Sequence, residues 1–206
     1  MNRSLPGYET IHTLESPDIL LSHLGAVRVP IIVGKESRDG GLVGYEHEIR
    51  AGWLMGQVTA SKLWSPCKRT TLAADESSSS GEGTSLLTVV TAAPFVVGDV
   101  ITVGSQTGLS VTAVDYDANS LTVDEAIDVE ENDAVFAEDG SATCRGILLD
   151  SVSLRNDDNT VDVHKSSGLL IQGVVRTSLL LGDLDAIRAD SSAKLSGVRF
   201  SDEHGQ

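Results

Sequence analysis

Four sets of side chains in this sequence have types and spacings that could do chemistry: two carboxylate groups, a set of possible metal ligands and a tryptophan pair. Asp115, Asp117 and Asn119 stand where the first three ligands of a calcium-binding loop would stand, and Glu130, Glu131 and Asp133 form a second carboxylate group. Such oxygen clusters suit a hard cation. The first group fails on its own spacing, because the turn position that needs Gly is Ser120 and the position that needs a bidentate Glu is Ala126. A hairpin turn held by Asx side chains explains the same residues. A solvated acidic turn explains the second group.

His12, His23, His47, His164 and His204 fall in no HxH, HExxH or Cys-paired spacing, so no metal site is expected. No serine sits in a GxSxG elbow, no GxxxxGK[ST] or GxGxxG loop follows a strand, and no Cys-His pair has a recognisable context. The expectation is a protein that is not an enzyme and uses no cofactor. Cys67 and Cys144 are read as reduced, buried thiols, with a disulfide across the intervening segment as the alternative. Trp53 and Trp64 could stack on a carbohydrate, but a tryptophan in a β-run more often fills a core or an interface.

The charge is divided unevenly among the elements that must position these groups. Residues 71–140 hold 14 Asp and Glu and no Lys or Arg; residues 1–70 carry a net charge of +1 and residues 141–206 a net charge of −2, within a total of −15. A block without cations repels nucleic acid, anionic lipid and copies of itself, and is expected to face solvent. It reads as a module inserted into a host domain, and neither nucleic acid nor membrane is an expected partner. With 206 residues and 40% hydrophobic content the chain can bury a substantial core. Its apolar runs, such as residues 169–175, fall far short of the roughly 20 residues that a membrane helix requires. The N-terminus lacks a basic region followed by an apolar stretch, which points to synthesis in a cytoplasm.

Most of the chain has strand composition. Residues 52–60 (GWLMGQVTA), 86–91, 100–104, 109–115, 120–124, 134–137, 146–152, 160–163 and 169–176 are β-rich and separated by Gly, Asn, Asp and Ser clusters at the spacing of sandwiches and barrels. Residues 28–33 (RVPIIV) read as an edge strand because Pro30 cannot donate to a ladder. Residues 182–195 predict one or two short C-terminal helices, with Asp183 as N-cap and Leu184, Ile187 and Leu195 on one side. Residues 1–25 show no period and read as an extended arm with apolar anchors Leu5, Tyr8, Ile11 and Leu14. Residues 71–85 (TLAADESSSSGEGTS) have linker composition and predict a seam between host and insert.

Four segments together carry a family resemblance. GWLMGQVTASKLWSP (residues 52–66), ATCRGILLDSVSL (142–154), VDVHKSSGLLIQGVVRTSLLL (161–181) and LDAIRADSSAKLSGVRF (184–200) resemble, in order and spacing, the strands and closing helix of tailed-bacteriophage head decoration proteins of the lambda type. The acidic insert is a departure from typical members. Residues 71–140, with short strands that alternate Val, Ile and Leu with Thr, Ser or Asp between turns, read by themselves as an inserted small β-barrel module. The resemblance implies a mainly β fold for the rest: a small β-barrel or sandwich-like host domain (26–70 and 141–206) with one or two short C-terminal helices. It also implies a structural cement protein that binds the major capsid protein on the outer surface of the virion. It would act as a homotrimer that stabilises the expanded shell, with the arm residues Leu5, Tyr8, Ile11 and Leu14 as capsid contacts. The alternatives are a displayed adhesin or carbohydrate-binding module, which calls for an exposed aromatic platform, and a small β-scaffold enzyme, for which no nucleophile, base or metal set is visible.

Overall fold

The computed structural model describes residues 18–42, 44–74, 83–156, 158 and 160–202. The chain begins with β1 (Leu20–Val33), β2 (Glu48–Ile49), β3 (Leu54–Gln57) and β4 (Trp64–Pro66). It then builds β5 (Arg69–Thr71), β6 (Thr84–Thr88), β7 (Val100–Val103), β8 (Gln106–Asp115), β9 (Ser120–Ile127) and β10 (Ala134–Ala137). It finishes with β11 (Cys144–Leu148), β12 (Val152–Ser153), β13 (Lys165–Arg176), a 3-10 turn (Thr177–Leu179), α1 (Leu184–Ala189) and β14 (Val198–Ser201). The protein is mainly β with curled sheets and a single short α-helix among the described residues.

Two closed sheets organise these strands. In the first the order is β1-β4-β3-β11-β13-β14, and antiparallel pairing of β1 with β13 closes five strands into a barrel that leaves β14 parallel on the side of β13. In the second the order is β5-β10-β7-β8-β9-β6. That sheet closes where Leu72 bridges Val89, with the Ala73 N–H donating to Thr88 O and the Val90 N–H to Thr71 O, each at 2.9 Å. Closure pairs most of the edges that would otherwise invite aggregation, and leaves β14 and one side of β1 as edges.

Burial explains why the two sheets read differently in sequence. In the first barrel the central strands bury both faces: Leu54, Ile147 and Leu170 pack with Ile187 of α1, while their neighbours Met55, Leu148 and Leu169 pack with Ile49 and Val152 of the small β2-β12 sheet. Such strands give continuous apolar runs such as WLM, ILL and LLI. The second barrel has one core, built from Leu72, Phe95, Ile101, Leu121, Val123, Val135 and their neighbours, and its strands alternate inward apolar with outward polar residues.

Several expectations are corrected. β1 starts at Leu20, so the last residues of the expected arm (1–25) are paired with β13. Leu5, Tyr8, Ile11 and Leu14 lie outside the described residues. Apart from Val33, β1 is paired on one side only, which accommodates the missing donor of Pro30. The linker-like segment 71–85 is no seam: its described ends continue β5 and lead into β6 of the second barrel, and the chain crosses between barrels before Arg69 and after Ala137. Residues 160–163 form only a single bridge, Asp162 to Arg155, and the Asp162 carboxylate pairs with Arg38 and Arg155. The helix predicted over 182–195 ends at Ala189. There the Asp190 carboxylate turns to the backbone N–H and hydroxyl of Ser192 and to Arg69.

Candidate functional site

A dense set of ion pairs and hydrogen bonds forms the seat on which the second barrel meets the first. The crossing residues Lys68 and Arg69 begin it. Lys68, nearly buried, pairs with Asp99 in the turn before β7. Arg69 reaches Asp190 at 3.2 Å and lies 4.9 Å above the ring of Phe136. A block with no cation of its own therefore draws on host cations at its base. One of its carboxylates, Asp99, is consumed there in place of facing solvent. Shielded from water, the Lys68–Asp99 pair orients the turn, and removing one partner would strand a charge.

Asp183 supplies the second tie. Its Oδ1 caps α1 by accepting from Ala186 N at 2.9 Å, and its Oδ2 accepts from Thr71 N at 3.1 Å and from the hydroxyls of Thr70 and Thr71 at 3.2 Å. One carboxylate thus starts the helix and fixes the first strand of the second barrel. Asp39, fully buried, accepts from Arg50 through both oxygens at 2.7 and 2.8 Å and from the Trp53 indole N–H at 2.8 Å. That bidentate pair raises the Arg50 pKa further and holds the turn over residues 39–41. On this turn Gly40 donates to Ala93 O at 2.9 Å, and the ring of Tyr116 covers it so closely that a Cβ at Gly40 would collide with the ring. The Tyr116 hydroxyl donates to Phe95 O at 3.0 Å, and burial raises its pKa.

Beside this seat lies a cleft of about 290 Å³ between the barrels, walled by Val58, Leu63, Trp64 and Val96 with Glu36 and Asp139 among its polar lining. Trp53 is not part of it: the ring is buried in the host core, so the two tryptophans do not form a stacking pair. Asp115 accepts from Ala118 N at 2.9 Å, and Asn119, with φ of 49°, accepts from Ala92 N. The first is the contact of an Asx-held hairpin turn, and the second ties that turn to the segment after β6. Among the described residues no three His, Cys, Asp or Glu side chains gather as metal ligands would.

Elsewhere, burial followed by the Arg155 guanidinium lowers the pKa of His47. The backbone N–H of Gly108 and then the Thr102 hydroxyl hold Glu138 below the usual carboxylate range. On β1, Leu24 is 91% exposed and Val27 and Ile32 are also exposed, an apolar set on the strand that the segment 1–17 leads into. Sequence reasoning found Asp183 through its capping position but missed Asp39, Asp99 and Tyr116 as seat residues. Their partners lie far along the chain, and the only local sign was that Asp39 and Asp99 sit in Gly-containing turns. No protein-family model matches the chain, and no curated protein and no solved structure matches it either.

Proposed function

We propose that this chain is a structural virion protein that binds the outside of a tailed-phage capsid as trimers and stabilises the expanded shell. The observation that carries this is the placement of the segments resembling decoration proteins. They form β3, β4, β11 and β13, four of the five strands of the first barrel, together with β12, α1 and β14, while the acidic segment builds a separate core beside it. A host barrel that keeps its own closure can seat on a shell while the acidic barrel is displayed and keeps decorated particles apart by like-charge repulsion. The exposed Leu24, Val27 and Ile32 on β1 are apolar surface suited to a protein neighbour.

The adhesin alternative needs an aromatic platform on the acidic barrel. Its three aromatics are otherwise engaged: Phe95 is in the core, Tyr116 lies on Gly40 and Phe136 lies under Arg69. Decoration is therefore the better supported function.

Co-sedimentation of the purified protein with expanded, undecorated shells tests it, with light scattering and shell reconstruction giving the oligomeric state. Saturable binding as trimers is expected. Absence of binding, or binding as isolated monomers, would refute the proposal. Removal of residues 1–17, which stops short of β1, is expected to abolish binding and leave the β-sheet signal unchanged. Undiminished binding would show that the arm is not the contact.

A further inference from the structure

The two cysteines of this chain, Cys67 and Cys144, are distant in sequence yet meet in space. Cys67 directly follows β4, where the chain leaves the first barrel, and Cys144 opens β11, where it returns. Both belong to one apolar cluster with Leu54, Ile147 and Leu170. The Cys67 thiol donates to Ala142 O at 3.2 Å and lies within hydrogen-bonding reach of the Cys144 thiol. Both thiols are free and buried. A cross-link at this place would join the outgoing and returning strands at the root of the second barrel and enclose that whole barrel in one covalent loop. Chain-entropy arguments make a cross-link more stabilising as the loop it closes grows.

We propose that Cys67 and Cys144 are a latent disulfide site that closes into a staple across the root of the second barrel when the chain meets an oxidising disulfide, for which oxidised glutathione is the probe. One cysteine thiolate attacks a glutathione sulfur, forming a mixed disulfide and expelling glutathione thiolate. The second cysteine thiolate attacks the protein sulfur of that mixed disulfide, forming the Cys67–Cys144 bond and expelling the second glutathione. The two protein thiols lose two electrons and two protons in all, and one glutathione disulfide becomes two glutathiones.

The hydrogen bond with Cys144 and then burial push the Cys67 thiol up. Both sulfurs are buried, so neither is open to attack in the closed fold. The staple therefore forms as the root folds or opens, and slowly once it is sealed. This site is independent of the decoration function and stands or falls separately from it.

The test is refolding of the full chain from reducing denaturant into a mixture of reduced and oxidised glutathione, followed by denaturation, alkylation and mass measurement. The expected product is folded, takes up no alkyl group, carries no glutathione and is lighter by two hydrogens. Protein kept in reductant takes up two alkyl groups. The variants Cys67→Ser and Cys144→Ser, refolded in the same buffer, each keep their one remaining cysteine free or bound to glutathione. Folded wild-type protein with two alkylatable thiols, stable glutathione adducts in place of the intramolecular bond, or an oxidised product that does not regain the β-sheet spectrum would each overturn the proposal.

Discussion

Replacing Asp183 should expose how strongly the second barrel is tied to the first. The side chain is nearly buried, and one carboxylate satisfies Ala186 N of α1, Thr71 N of β5 and two threonine hydroxyls. Asp183→Ala removes a helix cap, which costs about 1 kcal/mol. It also strands the Thr71 amide, which adds about 1–3 kcal/mol. The hydroxyls can rotate to other acceptors, so the total loss is about 2–4 kcal/mol. Asp183→Asn keeps an oxygen for the cap but turns an amide NH2 toward the Thr71 N–H. It should be milder, with a loss of about 1–3 kcal/mol.

Urea unfolding read by tryptophan fluorescence and far-UV circular dichroism measures both variants. Trp53 and Trp64 both lie in the first barrel, whereas circular dichroism reports both barrels. With a urea slope of about 2–3 kcal/mol/M for a chain of this size, the midpoint should fall by roughly 1 M in Asp183→Ala. A second cycle with Thr71→Val should be non-additive by more than about 0.5 kcal/mol, because the two residues share a contact. Midpoints of both Asp183 variants within about 0.2 M of the parent, equivalent to roughly 0.5 kcal/mol, would show that the carboxylate is not the tie described here.

Four further outcomes follow from the same construction. Gly40→Ala should destabilise by about 1–3 kcal/mol because its Cβ meets the Tyr116 ring, and a cycle with Tyr116→Ala should show strong coupling by urea titration. Tyr116 has a raised pKa, so the stability it contributes is present below its unfolded value near 10 and is lost as pH rises through the folded value; alkaline unfolding should be blunted in Tyr116→Phe. His47 has a lowered pKa, so its contribution is present above about pH 6.5 and is lost as pH falls through the folded value; His47→Gln should flatten that part of a thermal-stability profile. A chain in which a short linker replaces residues 69–138 should still give the β-sheet signal of the first barrel, since loop-closure cost changes slowly with length. It should have a raised isoelectric point, and failure to fold would mean that the first barrel depends on the seat for closure.

Local features of the fold were legible in the sequence. β7, β8, β9 and β10 appear where short β-rich segments alternate with Gly, Asn and Asp turns, because strand alternation and turn chemistry are decided by residues close in sequence. The N-cap role of Asp183 was legible for the same reason, since its partner Ala186 lies one turn away. The charge block was legible as composition. Less clear were the limits of β1 and of the helix, which long-range partners set: β13 extends β1 back to Leu20, and Arg69 with Ser192 draws Asp190 out of the helix.

What the sequence by itself determined is the β class, the turn positions, the capped helix and the confinement of acidity to one segment. Each of these depends on residue type and near neighbours. Only the tertiary structure decided which strands close each sheet, that the crossing lies at Lys68–Arg69 and not in the Ser-rich segment, and which carboxylates become structural. Asp183 and Thr71 are separated by 112 positions, and the turn at Gly40 meets Ala93 and Tyr116 from distant parts of the chain. A local pattern sets how a segment can fold; which of its polar groups lose water, and so must find partners, is set by what packs against it from elsewhere in the chain.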